Sequence, residues 1–187
     1  MGTWDQVICN ALRWEYKADV AMSAGVRWGT STLEGDWITM DDVMSQVATT
    51  YSETYVSEMT GEQLMQTLEA VADNLFDPDP YLQSGGDMVR VGGMDYSIAP
   101  TKGLGERITE ARLDNGEPID PKKTYKVAGW ATVNRTPEGR LIWDIIRDYI
   151  LATKDPGEVL RLPKVNHPKV IGMSDNPGIA DYPGRVA

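Results

Sequence analysis

The chain is nearly without the two side chains most often used as nucleophile or base: it has one cysteine, Cys9, and one histidine, His167. A single thiol allows no internal disulfide, and that leaves the compartment open, since disulfide-free periplasmic proteins are common. Cys9 falls inside a helical pattern, where no Cys–His pair is plausible, and no Gly-x-Ser-x-Gly elbow occurs. His167 stands in Asn166-His167-Pro168; a lone histidine in such a segment reads as a solvated side chain rather than a metal ligand. Phenylalanine is equally scarce, with Phe76 alone. No apolar run reaches the ~20 residues that span a bilayer. Positive charge is also short: 18 Lys and Arg face 28 Asp and Glu, for a net charge of −10. That balance excludes nucleic acid as a partner, because phosphate contacts need a basic patch. It excludes an anionic membrane surface for the same reason. The opening Met1-Gly2-Thr3-Trp4-Asp5 lacks the basic and apolar regions of a signal peptide. The expectation is a domain cut from a longer protein at a helix entry.

What is present suits one globular domain. With 187 residues the chain can bury roughly 70% of its unfolded surface. Thr3 and Gln6 resemble a capping box, and Val7, Ile8, Ala11, Leu12 and Tyr16 keep helical spacing. Val20 to Met22 reads as a buried strand. Thr39 before Asp41 and Asp42 marks a helix over Met40 to Val47, with its acids at the positive end of the helix dipole. A strand follows near Thr54 to Met59. Thr60 and Gln63 open a helix whose Leu64, Leu68, Val71, Ala72 and Leu75 form one apolar stripe. Pro78, Pro80, Gly85 and Gly86 then break regular structure. Met88 to Val91 and Met94 to Ile98 read as strands about the Gly92-Gly93 pair, a bulge or a point where ligand meets backbone. Arg107 to Leu113 runs into the turn signal Asp114-Asn115-Gly116 before Glu117 to Ile119. Tyr125 to Trp130 is a further strand. Pro137 suits the first turn of a helix carried by Leu141, Ile142, Ile145, Ile146, Tyr149 and Ile150. Residues 1–163 form the domain on this reading, and 164–187 an extended or partly disordered tail. Helices and strands mix without regular alternation and without repeats, so the fold class is α+β with a mixed sheet.

The chemistry centres on the loop after the first strand, Ser23-Ala24-Gly25-Val26-Arg27-Trp28-Gly29. Glycines let a loop close tightly on a bound group, and arginine presents a planar fork of donors to a sulfur or phosphorus oxyanion. By spacing alone an ordinary turn with a surface arginine is equally open. Arg90 beside Gly92 and Gly93 is a second candidate cation, with a surface ion pair as its alternative.

The ordered series of motifs resembles the C-terminal domain of the 5′-nucleotidase family. It is carried by the Ser-x-Gly-x-Arg loop, Leu33-Glu34-Gly35-Asp36-Trp37-Ile38-Thr39, Met59-Thr60-Gly61-Glu62-Gln63-Leu64 and Lys122-Lys123-Thr124-Tyr125-Lys126-Val127-Ala128, and runs from about Trp4 to Trp143. Asn10-Ala11-Leu12-Arg13, Arg27-Trp28-Gly29, Ala72-Asp73-Asn74-Leu75-Phe76 and Gly85-Gly86-Asp87-Met88-Val89-Arg90-Val91-Gly92-Gly93 are most similar to its SoxB branch, the thiosulfohydrolases of bacterial sulfur oxidation. The resemblance implies the same α+β fold and a periplasmic parent enzyme. It implies a dinuclear manganese centre in an N-terminal metallophosphoesterase-like domain that this chain lacks, so that no cofactor and no catalytic residue falls here and the isolated chain is inactive. The implied partners are that N-terminal domain and the SoxYZ carrier, whose cysteine S-thiosulfonate would be cleaved to release sulfate. Arg27 would bind the sulfonate oxygens within the Ser23–Gly25 loop, Trp28 would wall the pocket, and Arg90, Gly92, Gly93, Trp130 and Asn134 would complete it.

One departure separates the branches. Nucleotidases of the family grip the base between two phenylalanines of this domain. Here Met88 stands near the first position, Ala131 to Asn134 near the second, and Thr136-Pro137-Glu138-Gly139 replaces the expected Gly-Gly-Asp-Gly. Base stacking needs π-faces in place; tyrosine or tryptophan could supply them, so the nucleotidase reading is weakened and not eliminated. Two alternatives stay open: a nucleotidase or phosphoesterase domain with Arg27 on phosphate, and a non-catalytic interaction domain with an acidic surface.

Overall fold

The computed structural model describes residues 1–25, 29–47, 50–132 and 139–173. Helix α1 (Thr3–Tyr16) opens the chain. Its cap lies one residue before the expected Thr3: the Gly2 amide donates to Asp5 Oδ2 at 2.8 Å, because Asp5 rather than Gln6 turns back to the helix entry. Lys17 closes the helix in the left-handed region, φ 51°, and the chain reverses into β1 (Val20–Ser23).

β1 lies at the heart of a four-stranded sheet. It runs parallel to β6 (Thr124–Trp130) and antiparallel to β3 (Arg90–Gly92), while β2 (Thr54–Thr60) pairs antiparallel with β6. The order is β2-β6-β1-β3. Both faces are covered, and alternation along the central strands sorts their side chains. Ala21, Ala128 and Trp130 face α1, α2 (Met40–Gln46) and α4 (Ile142–Thr153). Val20, Met22, Tyr125 and Val127 face α3 (Gly61–Phe76) and a second sheet. That sheet has the order β5-β4-β7, from β4 (Met94–Ile98), β5 (Ile108–Leu113) and β7 (Lys169–Val170). The mixed-sheet α+β class read from the sequence is the class observed.

The helix entries follow from local hydrogen bonds. Thr39 Oγ1 accepts from the Asp42 amide at 3.2 Å and Asp42 Oδ2 accepts from the Thr39 amide at 2.7 Å. Thr60 and Gln63 do the same for α3, at 3.2 and 2.8 Å. Leu64, Leu68 and Ala72 of its stripe are fully buried. Asp114-Asn115-Gly116 turns as expected, with Gly116 at φ 88° and its amide bonded to the Leu113 carbonyl.

Two boundaries differ from the expectation by more than one residue. β3 begins at Arg90 rather than Met88. The last helix begins at Ile142; Pro137 lies outside the described residues, and Gly139 to Leu141 are not helical. The reason is pairing: the Gly139 amide bonds the Thr54 carbonyl at 3.0 Å and the Thr54 amide bonds the Arg140 carbonyl at 3.1 Å. The segment after Leu162 is extended, and Asn166 in it is fully buried against α1 and the β3–β4 turn.

Candidate functional site

Because β1 and β6 are parallel and β2 and β3 run against them, the carboxyl ends of the first pair meet the starts of the second at one sheet edge. A cleft of about 460 Å³ opens there. One wall is Ser23, Ala24 and Gly25, leaving β1; another is Trp130 and Ala131, leaving β6; Gly86 to Val89, leading into β3, close the far side. Tyr55 from β2 and Thr67 from α3 complete the lining. Crevices beyond the carboxyl ends of strands are where sheets of this kind take ligands.

The floor is built from two side chains singled out in the sequence. The buried Trp130 indole N–H donates to Ser23 Oγ at 2.7 Å, and that hydroxyl donates to the Ala24 carbonyl at 2.7 Å. Ser23 therefore anchors the aromatic floor and gives its one proton to the backbone. Ala131 follows in the left-handed region, φ 60°, a costly conformation for an alanine that turns the chain sharply at the cleft.

Arg90 reaches the cleft wall from behind Gly25. A Cβ added to Gly25 would lie 3.0 Å from both Arg90 Nη2 and Asp87 Oδ2, so glycine is what lets the loop rest on this pair. The guanidinium is held at three points. Nη1 donates to the Met88 carbonyl at 2.6 Å, Nε faces Asp5 Oδ2 at 3.4 Å, and Nη2 faces Asp87 Oδ2 at 3.4 Å. Asp5 is buried, whereas Asp87 is 51% exposed. The ion-pair alternative for Arg90 is thus realised at the cleft rather than on open surface.

Gly92 and Gly93 lie away from the cleft. A Cβ on Gly92 would sit 2.5 Å from Cys9 Cβ, and one on Gly93 would sit 2.3 Å from the Asp19 carbonyl oxygen. They let β3 and its turn press against α1 and the start of β1. Arg27, Trp28 and Asn134 lie outside the described residues. The flanking Gly25 and Ala131 line the cleft. Sequence reasoning missed Tyr55, Thr67 and Asp87. The available signal for Tyr55 was its pairing opposite Gly129: a Cβ there would be 2.4 Å from the phenol oxygen, so the ring lies across the strand toward the cleft.

Other reactive groups are turned inward. Burial, with a smaller push from Asp5, drives the Cys9 thiol far above its ordinary range, so it stays protonated and inert. Burial likewise pushes the Tyr96 phenol up to about 12. A second concavity of about 840 Å³ runs between Trp4, Trp37 and Leu151, with Glu34, Asp36, Lys154 and Arg161 also in its lining. Among the described residues no three His, Cys, Asp or Glu side chains gather as a metal site. No helix among them is long and apolar enough to cross a membrane.

Comparison with known proteins bears on this geometry. The family model described as 5′-nucleotidase, C-terminal domain, matches residues 2–141. No curated protein matches the chain. The solved structure of the sulfate thiohydrolase SoxB from Thermus thermophilus, in complex with glycerol, superposes with a TM-score of 0.79 at 34% identity over 93% of this chain and 33% of that one. A putative 5′-nucleotidase from Staphylococcus aureus (TM-score 0.65, 18% identity, 89% of this chain and 36% of that) shares the fold. So does a 5′-nucleotidase precursor, also from Thermus thermophilus (TM-score 0.68, 16% identity, 91% and 35%). The chain spans about a third of the length of each.

Proposed function

Because the chain belongs to the 5′-nucleotidase C-terminal-domain family, we propose that its cleft is the substrate-holding half of a SoxB-like thiosulfohydrolase. The substrate on this reading is a cysteine S-thiosulfonate carried by SoxYZ, from which sulfate is released in the periplasm. The dinuclear manganese centre would sit in a preceding metallophosphoesterase-like domain, supplying the activated water. This chain's residues bind and orient. Arg27 takes the sulfonate oxygens with its planar fork. Trp130 and Ser23 hold the floor rigid, and Tyr55 walls the side.

The observation that carries this reading is the chemistry of the cleft wall. Met88 and Ala131 both line it, at or beside the positions where the resemblance sets a nucleotidase's paired phenylalanines. Neither offers a π-face for a base; the aromatic rings of the cleft, Tyr55 and Trp130, stand at other positions. The 34% identity to a sulfate thiohydrolase over 93% of the chain supports the same branch.

The test is Arg27→Ala in the parent enzyme, assayed on thiosulfonate-loaded carrier and on AMP. We expect turnover of the loaded carrier to fall by on the order of 2–4 kcal/mol of transition-state stabilisation, with AMP left untouched by either protein. Undiminished turnover would remove Arg27 from the role. Hydrolysis of AMP with no action on the carrier would make the chain a nucleotidase domain, Arg27 binding phosphate.

A further inference from the structure

We propose that Asp87 sets the charge selectivity of the cleft, favouring a monoanionic sulfonate over a dianionic phosphate monoester. The inference rests on reading the cleft as an oxyanion site. Asp87 is the one carboxylate among the described lining residues, and those residues include no lysine or arginine. Behind that carboxylate stands the Arg90 guanidinium. Arg90 contributes one positive charge, and it is shared between Asp87 and the buried Asp5, both at 3.4 Å. Two carboxylates against one guanidinium leave the trio with a net charge of −1.

Asp5 and Asp87 play different parts in that sum. Asp5 is fully enclosed and fixes Arg90 in place from the helix side. Asp87 is half-exposed and presents its charge to whatever enters. A sulfonate brings one negative charge. A phosphate monoester brings nearly two at neutral pH, since its second ionisation lies near 6. Like-charge repulsion grows in proportion to the incoming charge and is felt strongly in a partly enclosed cleft. Asp87 therefore penalises the phosphate about twice as heavily as the sulfonate. The same shape and the same anion-binding arginine would otherwise serve both, because the two groups are both tetrahedral and oxygen-rich.

The experiment uses the 187-residue chain with labelled backbone amides, titrated at pH 8 with methanesulfonate and, separately, methyl phosphate. Affinities are read from Ser23 to Gly25 and Gly86 to Val89 in the wild type, Asp87→Asn, Asp87→Glu and, as a remote charge control, Asp41→Asn. We expect the sulfonate-to-phosphate affinity ratio to drop about tenfold in Asp87→Asn, a modest charge effect by Coulomb reckoning. It should be restored in Asp87→Glu and stay unchanged in Asp41→Asn. If Asp87 merely braced Arg90, both affinities would fall together and the ratio would hold, overturning the inference while leaving the cleft an oxyanion site. An equal change in the Asp41→Asn control would also overturn it, as net charge alone would then explain the ratio. Cleft amides silent to both anions in every variant would overturn the inference and the underlying reading together.

Discussion

Ser23 shows how a side chain that lines a site can also hold its floor in place. Its oxygen accepts from a buried indole and donates to the next carbonyl, both at 2.7 Å. Ser23→Ala removes the acceptor and leaves the Trp130 N–H enclosed and unpaired. Orphaning a buried donor costs about 1–3 kcal/mol, and we expect that loss in the urea unfolding of Ser23→Ala. Ser23→Thr, which keeps the oxygen, should lose less. Equal stability of wild type and Ser23→Ala would show that the indole finds another acceptor. Residues of this kind are only half legible in a sequence. The Ser-x-Gly-x-Arg spacing announces the loop, but which side chain faces ligand and which faces the core is decided by a partner 107 positions away. Gly92 and Gly93 carry the same lesson in reverse. A paired glycine is a clear signal of close approach, yet what approaches is α1 and the Asp19 carbonyl, and spacing cannot tell a ligand from a neighbouring element.

The elements themselves were readable wherever period and caps agreed, as in α2 and α3. They were unreadable where contacts reach across the chain. Gly139 to Leu141 carry a helix-like sequence and pair with the start of β2 instead. The segment holding Asn166 has no periodicity, being rich in proline, yet it clasps three distant elements. Asn166 Nδ2 donates to Asp95 and Asp114 at 2.9 and 2.8 Å, and its oxygen accepts from the Gly93 amide and from Gln6, both at 3.2 Å. Lys164 joins with a 2.7 Å bond to Asp114. Burial pushes the Asp114 carboxyl upward, but the bonds from Lys164 and Asn166 and the charges of Lys164 and Arg13 outweigh it and hold it below the ordinary value. In the unfolded chain Asp114 takes its proton near pH 4, earlier in an acid titration than in the folded clasp. The clasp's contribution is therefore complete above that pH and is lost as pH falls through the folded value. We expect the urea midpoint of the wild type to drop below about pH 4 more steeply than that of Asp114→Asn, which has no such proton to take up. Parallel curves for the two proteins would show that Asp114 holds no special place in the clasp.

Both faces of the four-stranded sheet are buried, and this arrangement decides how the domain comes apart. The apolar side chains of β1 and β6 divide by alternation between a cluster with α1, α2 and α4 and a cluster with α3 and the second sheet. Continuous apolar runs such as Val20 to Met22 were the sequence mark of strands covered on both sides, and from them the α+β layering was legible. The cleft was not, because it forms where four strand ends and one helix converge, and no local pattern records that meeting. Since the same strands feed both clusters, losing one cluster exposes the backs of strands the other needs. Unfolding should then be all-or-none. Leu68→Ala tests this, for Leu68 is fully enclosed in the α3 cluster, while Trp130, the buried tryptophan among the described residues, belongs to the other. Deleting a fully buried leucine costs about 2–5 kcal/mol. We expect the tryptophan fluorescence midpoint and the far-ultraviolet circular dichroism midpoint in urea to shift together, by the same amount, in Leu68→Ala. A dichroism transition that moves while the fluorescence transition stays in place would mean that the sheet does not couple its two faces, and that the α3 side opens as a unit of its own.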